Sequence, residues 1–229
     1  VDASWPSGRK PQAGEDVEII PGMNMVLDEV TPILNLVTVN GRLSFLDDGR
    51  PIELQAKQVY VRAGELLIGS EESPFMSDAQ ITLHGARHEA TEVMAGSIET
   101  GNKLLLNTAL MRMHGKPRDR HSRLLASVYQ GHSTAYVEPG LDWAAGDELY
   151  FAPTNHHWTH SEYRTIVSYD SINGIVTVDS PFSFYHYGKD TSTASDFNGV
   201  DMRGEVRLLS RNVRVVGAEN NEEWGGNIL

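Results

Sequence analysis

The densest group of chemically capable side chains is Asn155-His156-His157-Trp158-Thr159-His160-Ser161-Glu162. His156 and His160 stand four apart, with Glu162 close behind. Imidazole and carboxylate groups are ligands of the zinc type, which makes His156, His160 and Glu162 the candidate metal site. Residues at that spacing share a face only on a helix. Pro153 and Asn155, set in a strand-rich stretch, predict a loop. The competing reading is a polar loop over a sheet edge. His84 and His88 repeat the spacing, but Gly85 between them marks the end of a strand.

A second group is basic: Lys116-Pro117-Arg118-Asp119-Arg120-His121-Ser122-Arg123. Lys116, Arg118, Arg120 and Arg123 are the candidate ligand-binding residues, able to hold a sulfated or carboxylated glycan by charge-assisted hydrogen bonds. The competing reading is an exposed loop after the strand ending near Gly115. Adjacent acids occur at Asp47-Asp48, Glu71-Glu72 and Glu222-Glu223. A glycosidase needs two carboxyls facing one bond, whereas neighbours on a strand point to opposite faces. Asp47-Asp48-Gly49 resembles part of a calcium loop without the distal Glu. It reads first as a turn. In Phe182-Ser183-Phe184-Tyr185-His186-Tyr187, aromatic faces could stack sugars, but Phe182 and Phe184 are expected in the core. Gly131-His132-Ser133 is no nucleophile elbow, because position 135 holds Ala135. No residue is assigned a catalytic role. No cofactor is expected beyond the zinc and calcium these groups could take.

Composition narrows the classes further. There are 19 basic and 31 acidic residues, a formal net charge of −12. That excess repels polyanions at long range and argues against nucleic-acid binding. With 0 cysteines, thiolate chemistry and disulfides are excluded. No apolar run reaches the length of a membrane span, so membrane contact is expected only through an anchor elsewhere in a larger parent. The first residues lack a signal-peptide pattern.

The elements that must position these groups are short apolar runs separated by Gly, Pro, Asn and Asp, which predict strands. Tyr169 to Val178 predicts a hairpin turning at Asn173-Gly174. His121 to Gln130 is the best candidate for a short helix. Val39 and Val61 are 22 residues apart, Leu43 and Leu66 are 23, and Leu66 and Leu110 are 44. A strand, turn, strand unit recurring at that interval fits β-solenoid coils stacking apolar residues. An antiparallel sandwich with even spacing fits nearly as well. Residues 86–101 and 186–199 are polar interruptions.

Several stretches together resemble one family. Trp5 through Val17, Ile20-Pro21-Gly22 and Val26-Leu27-Asp28 are similar to the opening of the G8 domain. So are Leu43 to Phe45, Gly64-Glu65-Leu66-Leu67-Ile68-Gly69, Pro74-Phe75 and Ile81-Thr82-Leu83-His84-Gly85. Asn107-Thr108-Ala109-Leu110, Met113-His114-Gly115, Trp143 to Glu148 and Gly199 to Val213 extend the likeness to the fibrocystin and fibrocystin-like branch, related to the cell-surface hyaluronidase-like proteins. The resemblance implies an extracellular or cell-surface location, a β-helical architecture and a large parent protein. It implies no single activity.

The expectation is therefore all-β: a β-solenoid of parallel β-helix-like coils with a small barrel-like or hairpin insert. Residues 1–135 are expected to form the G8-like β-coil domain and 136–198 the β insert. Residues 199–229 are expected to open a parallel β-helix that continues past Leu229. The expected role is a non-catalytic structural or ligand-binding module. Its partners would be a matrix glycan or protein ligand and neighbouring β-helix domains of the same chain. The alternatives are the N-terminal part of a hyaluronan-depolymerising enzyme and a building block of an extracellular filament.

Overall fold

The computed structural model describes residues 5, 8–89, 93–94, 98–220 and 224–229. The protein is all-β. Helix in the described residues amounts to single 3-10 turns such as Trp158–His160 and Ser195–Phe197. The strands are β1 (Val17–Ile19), β2 (Asn24–Leu27), β3 (Leu34–Val39), β4 (Arg42–Phe45), β5 (Ile52–Val61), β6 (Glu65–Ile68), β7 (Ala79–Leu83), β8 (Val93–Met94), β9 (Ile98–Glu99), β10 (Leu104–Asn107) and β11 (Leu110–Met113). They continue as β12 (His121–Arg123), β13 (Thr134–Tyr136), β14 (Glu148–Phe151), β15 (Glu162–Asp170), β16 (Ile175–Val178), β17 (Glu205–Leu208), β18 (Val213–Gly217) and β19 (Asn227–Ile228). The chain forms two compact units, one of residues 1–116 with 211–229 and one of residues 117–210.

The first unit is built from two parallel sheets. One runs β1-β3-β5-β10-β19, with β7 beside β5 and β18 beside β7; the other runs β11-β6-β4-β2. From β1 to β7 consecutive strands do not pair with each other but alternate between the two sheets, and each of β1 to β5 pairs with the strand two places on; β8 and β9 form a separate antiparallel pair. The register stacks like on like: Val17 faces Val37, Val37 faces Val59, and Val59 faces Leu105. In the second sheet Met25, Leu43, Leu66 and Met111 form the matching column. Side chains alternate across a strand, so β3 and β4 bury Val37, Val39, Leu43 and Phe45 in one shared core with Leu54, Val59, Leu66 and Ile68. Each such buried side chain contributes about 2 kcal/mol of transfer free energy. The sequence spacings of Val39 to Val61 and Leu43 to Leu66 are register pairs here. Leu66 pairs with Met111, one residue beyond the expected Leu110.

The corners between the sheets are tight, and they stack as well. The Gly41 amide donates to the Ile19 carbonyl at 2.7 Å, and the Glu65 amide donates to the Gly41 carbonyl at 2.8 Å. A Cβ at Gly64 would stand 1.9 Å from the Gly41 carbonyl oxygen, and one at Gly41 would stand 2.4 Å from the Ile20 oxygen. Asn40-Gly41 therefore turns a corner between sheets.

Residues 211–229 return to this unit. β18 lies parallel to β7, and β19 lies parallel to β10. Two polar side chains hold the return. Asn212 donates to the carbonyls of Phe75 and Ser77 and accepts from the Lys116 amide. Lys103 is fully buried, and its ammonium donates to the carbonyls of Ala218 and Trp224 at 2.6 and 2.5 Å.

The second unit is one antiparallel sheet, β12-β17-β14-β15-β16-β13. It curls until its edges meet, the Leu125 amide donating to Tyr136 and the Glu138 amide to the Ser122 hydroxyl. This is the barrel-like element expected in the middle of the chain. The Asn173-Gly174 hairpin forms as expected, with Asp170 opposite Ile175. The short helix expected at His121 to Gln130 does not form. Its first residues are β12, where Ser122 is buried opposite Val206. Leu124 and Val128 reach the sheet's own core with Phe151, Phe182 and Val206 from an irregular segment.

Because the corner clash is with backbone, Gly64→Ala should cost about 3 kcal/mol of stability. Gly49→Ala, at a φ of +89° with open space around it, should cost about 1 kcal/mol from conformational strain alone. Urea unfolding followed by far-UV circular dichroism measures both.

Candidate functional site

The candidate metal residues fall on a turn and the strand that follows it. His156 and His157 are exposed, their ring centres 3.9 Å apart. His160 lies flat on Phe184, 4.0 Å between centres and 11° between planes, and meets the Asn155 side chain at 2.8 Å through Nδ1. Glu162 opens β15 opposite Phe151 and points inward. Its carboxylate accepts from the amides of Ser183 and Phe184 at 2.9 and 3.0 Å, from His186 Nε2 at 3.1 Å, and from Arg164. His156 thus faces solvent while Glu162 faces the core. Among the described residues no three His, Asp or Glu side chains converge as a metal set. His84 meets Gln55 at 3.2 Å, and His88 is exposed.

His186, which sequence reading passed over, is the centre of the buried group. It is fully buried, with Nδ1 3.0 Å from the Ala152 carbonyl and Nε2 on Glu162. Both ring nitrogens face oxygen atoms, one a backbone carbonyl and the other the Glu162 carboxylate. Burial pushes the Glu162 pKa up. The Ser183 amide, His186, the Phe184 amide and Arg164 outweigh it and hold the pKa below the ordinary value. Arg164 lays its guanidinium over the Phe182 ring at 5.4 Å. Phe182 itself packs edge-on against Phe151 at 4.8 Å in the core, as expected, whereas Phe184, expected there too, is only partly buried beneath His160. His186 lies four residues beyond Phe182, and both are buried although the segment between them is irregular. The oxygens of Glu162 are committed to the 183–186 backbone and ring. The group's chemical effect is to fix Phe184, and on it the outer stack of histidines.

The basic stretch is dispersed. Lys116 belongs to the first unit, and Arg118, Arg120 and Arg123 belong to the second. Only 16% of the Arg118 side chain is exposed; it pairs with Asp142 at 2.9 Å and Asp147 at 2.7 Å. Burial raises the Asp147 pKa, and hydrogen bonds from Arg118 and the Ala144 amide bring it below the usual carboxylate value. In the same clasp the Asp119 amide donates to the Asp142 carboxylate, the Asp142 amide donates to the Asp119 carboxylate, and the Trp143 indole donates to the Asp119 carbonyl at 2.7 Å. Arg120 is exposed. Arg123 bonds the carbonyls of Asp201 and Arg203 and lies near Glu205. Asp201 is drawn down to about 2, mainly by its hydrogen bonds with Arg203.

Among the paired acids, Asp47 accepts from the amides of Met76 and Ser77, and Asp48 pairs with Arg50. Glu71 and Glu72 are exposed on a turn. Glu222 and Glu223 lie outside the described residues.

A parallel two-sheet unit with stacked glycine corners, joined in one chain to a curled antiparallel sheet, defines a β-class extension of a recognisable domain type. The family model of the G8 domain matches residues 4–126, and the chain belongs to that family. Fibrocystin-L of Mus musculus is 32% identical over 232 residues, covering 100% of this chain and 5% of that protein. Fibrocystin of Canis lupus familiaris is 31% identical over 218 residues, covering 93% of this chain and 5% of its own length. The cell surface hyaluronidase of Danio rerio is 34% identical over 86 residues, 37% of this chain and 6% of that protein. The chain thus spans about a twentieth of the length of the fibrocystin relatives, 5%.

Glu162→Gln should destabilise the protein by about 3 kcal/mol near neutral pH, since it leaves the largely buried Arg164 guanidinium against a neutral amide. Because the folded-state pKa of Glu162 lies below the ordinary 4.5, its contribution is fully present above that pH and is lost as pH falls through the folded value. The stability gap between the parent chain and the variant should therefore narrow on acidification. Denaturant midpoints at about pH 7 and about pH 3 test this.

Proposed function

We propose that this chain is a non-catalytic extracellular module of a large cell-surface protein, serving as a structural spacer and ligand-binding element. The observation that carries this reading is the parallel register of the first unit. Val17, Val37, Val59 and Leu105 stack in one interior column, and Met25, Leu43, Leu66 and Met111 in another. Such columns are what β-solenoid coils build, and coils of this kind propagate along one axis with a repeating, rigid geometry. Neighbouring β-helix domains of the same parent are the natural partners for such a stack, with a matrix glycan or protein as the ligand. Membrane association would come from an anchor elsewhere in the parent. No helix among the described residues is long and apolar enough to cross a membrane.

The disposition of the acids supports a binding role over a hydrolytic one. Glu162, Asp147 and Asp47 are engaged by arginine side chains or backbone amides. A general acid or base needs an oxygen facing the substrate. The second reading is the N-terminal part of a hyaluronan-depolymerising enzyme, favoured by the shared identity over 86 residues with a protein named cell surface hyaluronidase.

Size-defined hyaluronan incubated with this chain, and with the intact parent, should keep its length across pH and in the presence or absence of calcium. Gel electrophoresis of the polymer reads the result. Shortening by the parent protein would favour the enzymatic reading.

A further inference from the structure

Four adjacent strands of the antiparallel sheet carry one continuous row of side chains. His121 on β12 lies opposite Arg207 on β17, Arg207 opposite Tyr150 on β14, and Tyr150 opposite Tyr163 on β15. Residues directly opposite across antiparallel strands share a face. The flanking Ser122, Val206, Leu208, Leu149, Phe151 and Glu162 are buried, which puts the row on the outer face. Tyr163 is 59% exposed, as is the Arg207 side chain. The rings of Tyr150 and Tyr163 stand 5.4 Å apart, tilted by 56°. Glu205, two residues from Arg207 on the same strand face, accepts a hydrogen bond from it at 2.8 Å.

We propose that this row is a binding site for a neutral polysaccharide, with sugar rings lying across the strands on Tyr150 and Tyr163. The inference rests on the ligand-binding half of the reading above, and it names the place and the ligand class. A sugar ring presents C–H groups on its faces and hydroxyls around its rim. Tyrosine rings supply the apolar surface that matches the faces. Hydroxyls both donate and accept. Arg207 and His121 offer donors, and Glu205 beside them offers acceptors. With neighbouring strands spaced about 4.8 Å apart, the row runs roughly 14 Å, enough for a short run of linked rings.

Charge decides between neutral and acidic glycans. A polyanion would meet Glu205 next to the guanidinium it needs, on a chain whose net charge is −12. A protein partner suits the row less well, because interface centres are desolvated and poor in charge. Here an Arg–Glu pair adjoins the aromatic rings.

The test is isothermal titration of the whole 229-residue chain with cellohexaose, maltohexaose and hexa-N-acetylchitohexaose, alongside hexagalacturonate and size-defined hyaluronan. At least one neutral hexasaccharide should bind. Tyr163→Ala should weaken that binding about tenfold, a loss of about 1.4 kcal/mol, and Arg207→Gln should weaken it severalfold. Tyr129→Ala, an exposed tyrosine paired with Tyr185 elsewhere in this unit, should leave it unchanged. Both row variants are at exposed positions, and circular dichroism verifies that they fold. Failure of all three neutral sugars to bind, or equal binding by the parent chain and Tyr163→Ala, overturns the inference. Binding of the acidic polymers alone overturns it too, yet leaves the module reading intact. Hyaluronan shortening by the parent protein would overturn the module reading while leaving the row to be judged by the neutral sugars.

Discussion

Parallel strands cannot be joined by a tight hairpin, so the chain must travel elsewhere before it can lie beside itself in the same direction. The first unit meets this constraint by crossing to a second sheet and back. Each crossing must occupy the same height along the stack, or the apolar columns would slip and a one-residue slip would turn every side chain to the wrong face. The corners set that height. Gly41 bonds back to Ile19, and Glu65 bonds back to Gly41, so each corner is the template for the next. The absence of a side chain at Gly64 is what allows the backbones to approach this closely. Column, register and core all follow from the corners.

The second unit solves a different problem with buried charge. Its curled sheet has to hold an irregular segment, 181–188, against its core, and no strand of the sheet pairs with that segment throughout. Glu162 does it from one strand end, through two amides and a histidine ring. Arg118 performs the same service at the opposite end of the sequence unit, tying Asp142 and Asp147 over Trp143. Breaking one partner of such a group leaves a buried charge unpaired, so these side chains act as fasteners. The outward face, relieved of structural duty, carries His121, Arg207, Tyr150 and Tyr163 in line.

How much of this was legible follows from the range of each interaction. The interval between Val39 and Val61, or Leu43 and Leu66, is a local repeat that the register preserves, and Asn173-Gly174 specifies its own turn. The phase of β15 was not legible. Whether Glu162 or Tyr163 points inward depends on Phe151 and His186, which approach from other parts of the chain. Arg118 read as an open cation because its partners lie 24 and 29 residues away. The helix expected at His121 to Gln130 fails for a related reason: Leu124 and Val128 are drawn to the core of a curved sheet built from distant strands.

Asn212 ties the Lys116 amide to the carbonyls of Phe75 and Ser77, while the chain between Lys116 and Arg211 forms a compact unit of its own. The points of departure and return are thereby held a hydrogen bond apart by the parallel unit itself. Closing a long excursion costs little more entropy than closing a short one. The seam at Asn212 is thus a grafting point, where the parallel stack can carry an insert of another length, or another fold, without its own register noticing.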